Sequence, residues 1–167
     1  MKQGNAIVYY WQRNNKMISL LVILFILPNL LSLVNITTPW GFKIHFFQLA
    51  IFIAAILYGP RGGLLAGALG SMLPAFLAHN PYITIGNMIL GFLAGLFIKR
   101  GFPIIWAVFL AYSLELPWLI LTDYYLIHLP LPTIEKIVIA LAISNAIWAV
   151  CAHYLTPSIK NWIHNIS

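Results

Sequence analysis

Charged residues are scarce in this chain. Of its 167 residues, only 7% are charged and 62% are hydrophobic, whereas a soluble domain carries about 25% charged residues. A water-soluble fold of this size could not hide so much apolar surface. The bilayer is therefore predicted to be the solvent, and the length predicts a single domain over residues 1–167.

Cysteine and catalytic motifs are also scarce. Cys151 is the single cysteine, which excludes an intrachain disulfide framework and a cysteine zinc cluster. The histidines show no metal-ligand spacing, so neither a metal nor a cofactor is predicted. No serine-nucleophile elbow, His-Glu-x-x-His motif or phosphate-binding loop occurs. The chain is therefore predicted not to be an enzyme and not to power transport by itself.

The basic residues outnumber the acidic ones, and the net charge is +6. They lie at the ends of apolar runs rather than in one groove, which is typical of membrane topology and not of nucleic-acid binding. The runs predict an all-α integral membrane bundle of six transmembrane helices, at about 17–34, 44–58, 62–78, 83–98, 103–121 and 136–156. With both termini in the cytoplasm, seven of the nine Lys and Arg residues lie inside, as the positive-inside rule requires.

Small residues form stripes on two of the predicted helices. Gly63, Gly67 and Gly70 share one helical face, with Ser71 beside them, and a Gly-x-x-x-Gly pair begins at Gly91. Helices in a membrane associate mainly through close packing, which small residues permit. Two interpretations stay open: packing inside the bundle, or docking of a partner subunit on Gly63, Gly67, Gly70 and Ser71.

Glu115 is the most informative polar residue in the predicted spans. A carboxylate at this depth is costly, so it is expected to face the bundle interior or a watery cavity. Trp118 lies on the same helical stripe, and an acid beside an aromatic suits a polar, planar ligand. The alternative is a buried acid that is protonated or paired with Lys43 or Lys136.

Amides and aromatics complete the predicted site. Asn145 and Trp148 share a face of the sixth predicted span, and Gln48 and Asn87 are the other intramembrane amides. Each amide alone could form a hydrogen bond between helices, but together with Glu115 they predict one cavity in the outer half of the bundle. The predicted substrate-binding residues are Trp40, Lys43, His45, Gln48, Asn80, Tyr82, Asn87, Glu115, Trp118, Asn145 and Trp148.

One stretch resembles a known family. Residues 46–71 comprise an apolar helix, the Gly59-Pro60 turn, further glycines and a glycine-rich second helix. This pattern is similar to that of the substrate-binding S component of energy-coupling factor (ECF) transporters, which are small vitamin-capture subunits of roughly six helices. The second half of the chain matches more loosely, through residues 91–95 and Asn145.

The resemblance implies a mechanism and partners. An S component of a prokaryotic plasma membrane would hold a vitamin-like small molecule near the outer face, under a loop that corresponds to residues 35–43. It would then dock on a membrane coupling subunit driven by two cytoplasmic ATPases. The first helix lacks the Ala-x-x-x-Ala docking pair of many members, so the glycine face of the third span is the expected substitute.

The same resemblance leaves two questions open. The chain begins Met1-Lys2 rather than Met-His, which disfavours nickel or cobalt as the substrate, but the sequence does not identify the vitamin. The alternative function is a non-transport membrane scaffold or cell-envelope assembly protein, which would have no enclosed cavity.

Overall fold

Helices make up nearly all of the fold, which was obtained as a computed structural model. It describes residues 46–164 continuously and, before them, residues 14–15, 18–20, 22, 24–30, 33, 36–37 and 43–44. The helices are α1 (Ile18–Leu30), α2 (Phe47–Gly70), α3 (Met72–Leu77), α4 (Tyr82–Lys99), α5 (Ile104–Leu121) and α6 (Leu131–His164). A π-helical turn, Thr122–Leu126, continues α5. The predicted all-α class is confirmed.

Two short strands stand before α2. The strands β1 (Ile36–Thr37) and β2 (Lys43–Ile44) pair antiparallel, with Ile36 opposite Ile44 and Thr37 opposite Lys43. Each strand has only two residues, so this ribbon is a feature of the connection between α1 and α2 and not a sheet layer.

Four segments of the described chain are long and apolar enough to cross a membrane. They are Phe47–Leu77, Tyr82–Lys99, Ile104–Leu126 and Leu131–Ile163, while the apolar part of α1 is shorter. The predicted count of six spans and the cytoplasmic placement of both termini are not confirmed by this fold. They stay predictions.

The chain reverses direction inside α2. Gly59 has φ 69° and ψ −157°, a region that essentially only glycine adopts, and Pro60 suits the first turn of a new helix. A Cβ placed on Gly62 would lie 2.8 Å from the carbonyl oxygen of Ala54. In one continuous helix, residues eight apart would be separated by about 12 Å. The reversal divides α2 into a first arm, 47–58, and a second arm, 60–70.

The second arm of α2 packs backbone to backbone on α4. A Cβ on Gly63 would overlap the carbonyl oxygen of Gly91, and a Cβ on Gly91 would overlap that of Gly63. One turn away, Gly67 meets the backbone of Asn87 in the same manner. The two helices run antiparallel, and the facing glycines allow an approach that any side chain would prevent.

The glycines of this stripe therefore face other helices of the bundle, and docking of a partner on the stripe stays a prediction. The backbone of α4 occupies the space beside Gly63 and Gly67, and a Cβ on Gly70 would lie 3.0 Å from the ring of Pro28 in α1. Ser71 is fully buried, and its hydroxyl donates to the carbonyl of Gly67. Of the two interpretations left open above, the geometry favours packing inside the bundle.

The core is centred on the first arm of α2. Ile51, Phe52, Ala54 and Ala55 have no exposed surface, and α4 and α6 pack against α2. The outside of the bundle is apolar, unlike the surface of a water-soluble protein, and large side chains such as Trp106 are exposed there. An apolar exterior around a close-packed interior is what a lipid solvent requires.

Candidate ligand-binding site

A cavity of about 550 Å³ lies between α2, α4, α5 and α6. Small-molecule sites typically measure roughly 300–1,000 Å³, so this space accommodates a ligand of vitamin size. Most of its wall is apolar. The lining residues with a polar side-chain atom are Gln48, Asn80, Tyr82, Asn87, Glu115, Trp118, Thr122, Asp123, Thr133, Lys136 and Asn145.

The cavity extends from the surface into the interior. Thr133 and Lys136, near the start of α6, are exposed. Gln48, Leu90 and Asn145 line the same space but are only 1–3% exposed. A ligand held here would therefore pass exposed polar groups and end against buried ones.

Two buried amides in the cavity wall carry polar atoms without a hydrogen-bond partner among the described residues. In the described part of the chain, Oε1 of Gln48 and both side-chain polar atoms of Asn145 form no hydrogen bond. A buried polar group without a partner costs roughly 1–3 kcal/mol, and most such groups in folded proteins are satisfied. Both amides line the cavity, so their free polar atoms are available to a ligand or water inside it.

A carboxylate occupies another part of the wall. Glu115 is 6% exposed, and no described residue gives it a hydrogen bond or an ion pair; this includes Lys136, which the sequence had suggested as a partner. Gly86 makes room for the acid, since a Cβ at position 86 would lie 2.9 Å from Oε1 of Glu115. The carboxylate is therefore available to the cavity.

Trp118 and Tyr82 form an aromatic pair beside this acid. The indole Nε1 of Trp118 donates to the carbonyl of Tyr82 at 3.3 Å, and the two ring centroids are 6.3 Å apart at an interplanar angle of 63°. The hydrogen bond fixes the orientation of the indole. Rigid, oriented rings of this kind provide large contact area for a planar ligand.

A hydrogen bond between two lining residues joins the ends of α4 and α5. Nδ2 of Asn80 donates to Oδ1 of Asp123 at 2.8 Å, and Oδ1 of Asn80 accepts from the backbone N–H of Tyr82 at 3.0 Å. Asn80 precedes α4, and Asp123 lies in the π-helical turn after α5. We call this pair the Asn80–Asp123 bridge.

Most described residues of the predicted site do line one cavity: Gln48, Asn80, Tyr82, Asn87, Glu115, Trp118 and Asn145. Trp148 does not line it and instead packs its ring 5.0 Å from that of Phe46. Trp40 and His45 lie outside the described residues, and only the backbone of Lys43 is described, in β2.

Sequence reasoning missed several lining residues. Gly86, Asp123, Thr133 and Lys136 line the cavity but were not among the predicted binding residues. Asp123 gave a signal, because it is an acid placed where the apolar run of α5 ends. Gly86 gave none, since its role depends on which residue of α5 faces it.

Metal binding has no support in the described ranges. No group of three His, Cys, Asp or Glu side chains within them is arranged to hold an ion. The groups that the lining residues present are amides, carboxylates and aromatic rings.

Comparison with protein families identifies the relationship. Residues 13–161 match the family described as ECF-type riboflavin transporter, S component, so the match includes every described helix up to the last turn of α6. Comparisons with curated proteins and with solved structures give no match. S components are membrane subunits that capture the substrate of a vitamin transporter and are not catalytic enzymes. The chain belongs to the family of ECF-type riboflavin transporter S components.

Proposed function

We propose that this chain is the riboflavin-capture subunit of an energy-coupling factor importer. The observation that carries the proposal is the cavity of about 550 Å³, in which Oε1 of Gln48 and both side-chain polar atoms of Asn145 have no hydrogen-bond partner among the described residues. Riboflavin is a planar tricyclic ring with carbonyl and N–H groups on one edge and a chain of hydroxyls attached. It therefore needs an apolar slot with a few converging polar groups.

The lining chemistry supports this ligand. Each side-chain amide offers both a donor and an acceptor, as an edge of alternating carbonyl and N–H groups requires. Trp118 and Tyr82 offer rings for contact with the flavin ring. The described wall thus pairs apolar area with a small number of directional contacts, which is the usual composition of a small-molecule site.

The membrane arrangement is part of the same proposal. The two arms of α2, which meet at Gly59, would be separate crossings; with α1, α4, α5 and α6 they make six, with both termini in the cytoplasm of a prokaryotic cell. An arm of 12 residues is about 18 Å long, shorter than a bilayer core of roughly 30 Å. Local thinning of the bilayer would accommodate it.

Energy and delivery would come from partners. The sequence has no nucleotide-binding motif, so a membrane coupling subunit and two cytoplasmic ATPases would drive release of the vitamin. The coupling subunit would dock on a surface other than the Gly63–Gly67 seam, because α4 already fills it. The scaffold alternative predicts no enclosed cavity, and the cavity therefore disfavours it.

Titration of the detergent-purified protein with riboflavin tests the proposal, using the quenching of flavin fluorescence as the readout. We expect saturable binding of one flavin per chain. Binding should be weakened in Asn145→Ala and unchanged in Asn161→Ala, which removes an exposed asparagine from the same helix. Absence of saturable binding by the folded wild-type protein would refute riboflavin capture.

A further inference from the structure

We propose that Glu115 accepts hydrogen bonds from the hydroxyl chain of the flavin, while Asn145 contacts the edge of the flavin ring. In this arrangement Gly86 is a positioning residue that sets where the Glu115 carboxylate lies. The inference rests on the proposed function and goes beyond it, because it assigns the two ends of the ligand to different walls of the cavity.

The assignment of Glu115 follows from what a carboxylate can bind. Hydrogen bonds donated by bound hydroxyl groups favour the ionised form of a buried carboxyl. That form is an acceptor only, so it disfavours the two carbonyl oxygens on the edge of the flavin ring. Hydroxyl groups donate freely, and a hydrogen bond to a carboxylate is roughly twice as strong as one between neutral groups. Glu115 is almost fully buried in the cavity wall, and no described side chain satisfies it. A hydroxylated chain supplies the donors that it lacks.

The assignment of Asn145 follows from its unused atoms. Both the amide nitrogen and the amide oxygen of this residue are buried without a partner in the described part of the chain. A donor and an acceptor side by side match a carbonyl next to an N–H. Asn145 is on α6 and Glu115 on α5, and both line the cavity, so one ligand can contact both.

Gly86 positions the Glu115 carboxylate because its missing side chain leaves room for that group. A Cβ at position 86 would lie 2.9 Å from Oε1 of Glu115 and 3.5 Å from Cδ1 of Trp118, and these are the nearest atoms. The closest is the far end of a flexible side chain, which can move without shifting a backbone. Gly86→Ala is therefore expected to displace the carboxylate while the bundle stays folded.

The first test compares riboflavin with lumiflavin, which has the same ring but a methyl group in place of the hydroxyl chain. The wild-type protein should bind riboflavin at least roughly tenfold more tightly. Glu115→Gln should weaken riboflavin by about tenfold, the ratio that corresponds to 1.4 kcal/mol, and leave lumiflavin unchanged. Asn145→Ala should weaken both ligands. Glu135→Gln, an exposed acid outside the cavity wall, is the matched control and should change neither.

The second test is a double-mutant cycle between positions 86 and 115. Gly86→Ala should weaken riboflavin severalfold in the wild-type background and have no effect when Glu115→Ala is present, since the displaced carboxylate is then gone. An equal loss in both backgrounds would show that Gly86 acts independently of Glu115. Thermal unfolding of each variant separates a change in binding from a loss of fold.

The outcomes separate this inference from the proposed function. If the wild-type protein binds neither flavin, riboflavin capture is wrong and the inference falls with it. If it binds riboflavin and lumiflavin equally, or if Glu115→Gln weakens both alike, the protein is a flavin binder but Glu115 does not select the hydroxyl chain. The comparison of ligands on the wild-type protein needs no variant, so a misfolded Glu115→Gln would not leave the question open.

Discussion

At the scale of single residues, Asn145 is expected to affect riboflavin affinity but not the stability of the empty protein. Its amide has no hydrogen bond in the described part of the chain, so Asn145→Ala removes no hydrogen bond from the empty protein. We expect an unchanged or slightly raised free energy of unfolding, because a desolvated polar group is lost. Riboflavin affinity should fall by roughly tenfold, as expected when hydrogen bonds of about 0.5–1.5 kcal/mol each are removed.

Thermal unfolding in detergent and fluorescence titration of the same preparation check both parts of this prediction. Asn161→Ala is again the control, as an exposed asparagine on α6. A variant that unfolds several degrees earlier yet keeps wild-type affinity would assign Asn145 to helix packing instead.

The polar residues of the site were predictable because each interrupts an apolar run. Gln48, Asn87, Glu115 and Asn145 are expensive in a bilayer, and the cost itself pointed to a shared interior. The same reasoning failed for Trp148, because α6 contains apolar residues on every side and no periodicity distinguishes its faces. The contact of Trp148 with Phe46 depends on the path of the chain before α2, which the spacing does not reveal.

At the scale of elements, the antiparallel contact of α2 with α4 makes a prediction about stability. Gly63→Ala would place a methyl group where the carbonyl oxygen of Gly91 lies, and the two backbones would have to separate. We expect the free energy of unfolding to fall by about 1–3 kcal/mol, the usual cost of overpacking. Thermal unfolding measures it, with Ala142→Leu as a control that adds bulk at an exposed position of α6.

This result bears directly on the role of the glycine stripe. If Gly63→Ala leaves stability unchanged but abolishes assembly with a coupling subunit, then the stripe docks a partner after all. Loss of stability in the isolated chain would support internal packing.

The Asn80–Asp123 bridge predicts an effect on ligand exchange. The bond of 2.8 Å ties the turn before α4 to the π-helical turn after α5, and both residues line the cavity. Asn80→Ala and Asp123→Ala should each raise the rate of flavin release severalfold, because the two ends of the helices are no longer held together. Stopped-flow displacement of bound riboflavin gives the rate.

The double variant is the control for this bridge. If the two residues act through their mutual hydrogen bond, the combined effect should be no larger than that of either single change. Additive effects would instead mean that each side chain contacts the ligand separately.

The elements themselves were only partly predictable. The reversal at Gly59 was predictable from the sequence, since a Gly-Pro pair within an apolar run marks a turn. The separation of α3 from α2 also had a signal, since Pro74 within Met72–Leu77 cannot donate a hydrogen bond to the carbonyl of Gly70, the last residue of α2. The pairing of Gly63 with Gly91 was inaccessible, since a stripe of small residues does not say which surface covers it.

For the whole molecule, the proposed topology predicts a pattern of chemical labelling. In a Cys151→Ser background, which has no other cysteine, Lys136→Cys should react with a membrane-impermeant thiol reagent on intact cells. Lys160→Cys should react only after the membrane is permeabilised. Both positions are exposed in the fold, and they lie near opposite ends of α6, so in ligand-free protein the comparison reports which end of α6 faces the outside. Labelling of Lys160→Cys on intact cells would invert the proposed orientation.

The central claim is that this bundle captures riboflavin, and mass spectrometry of small molecules released from gently purified protein tests it most directly. The account predicts a flavin in near-stoichiometric amount from the wild-type chain and little from Asn145→Ala. A different small molecule in stoichiometric amount, or a folded protein that carries no flavin and cannot be loaded with riboflavin, would contradict it.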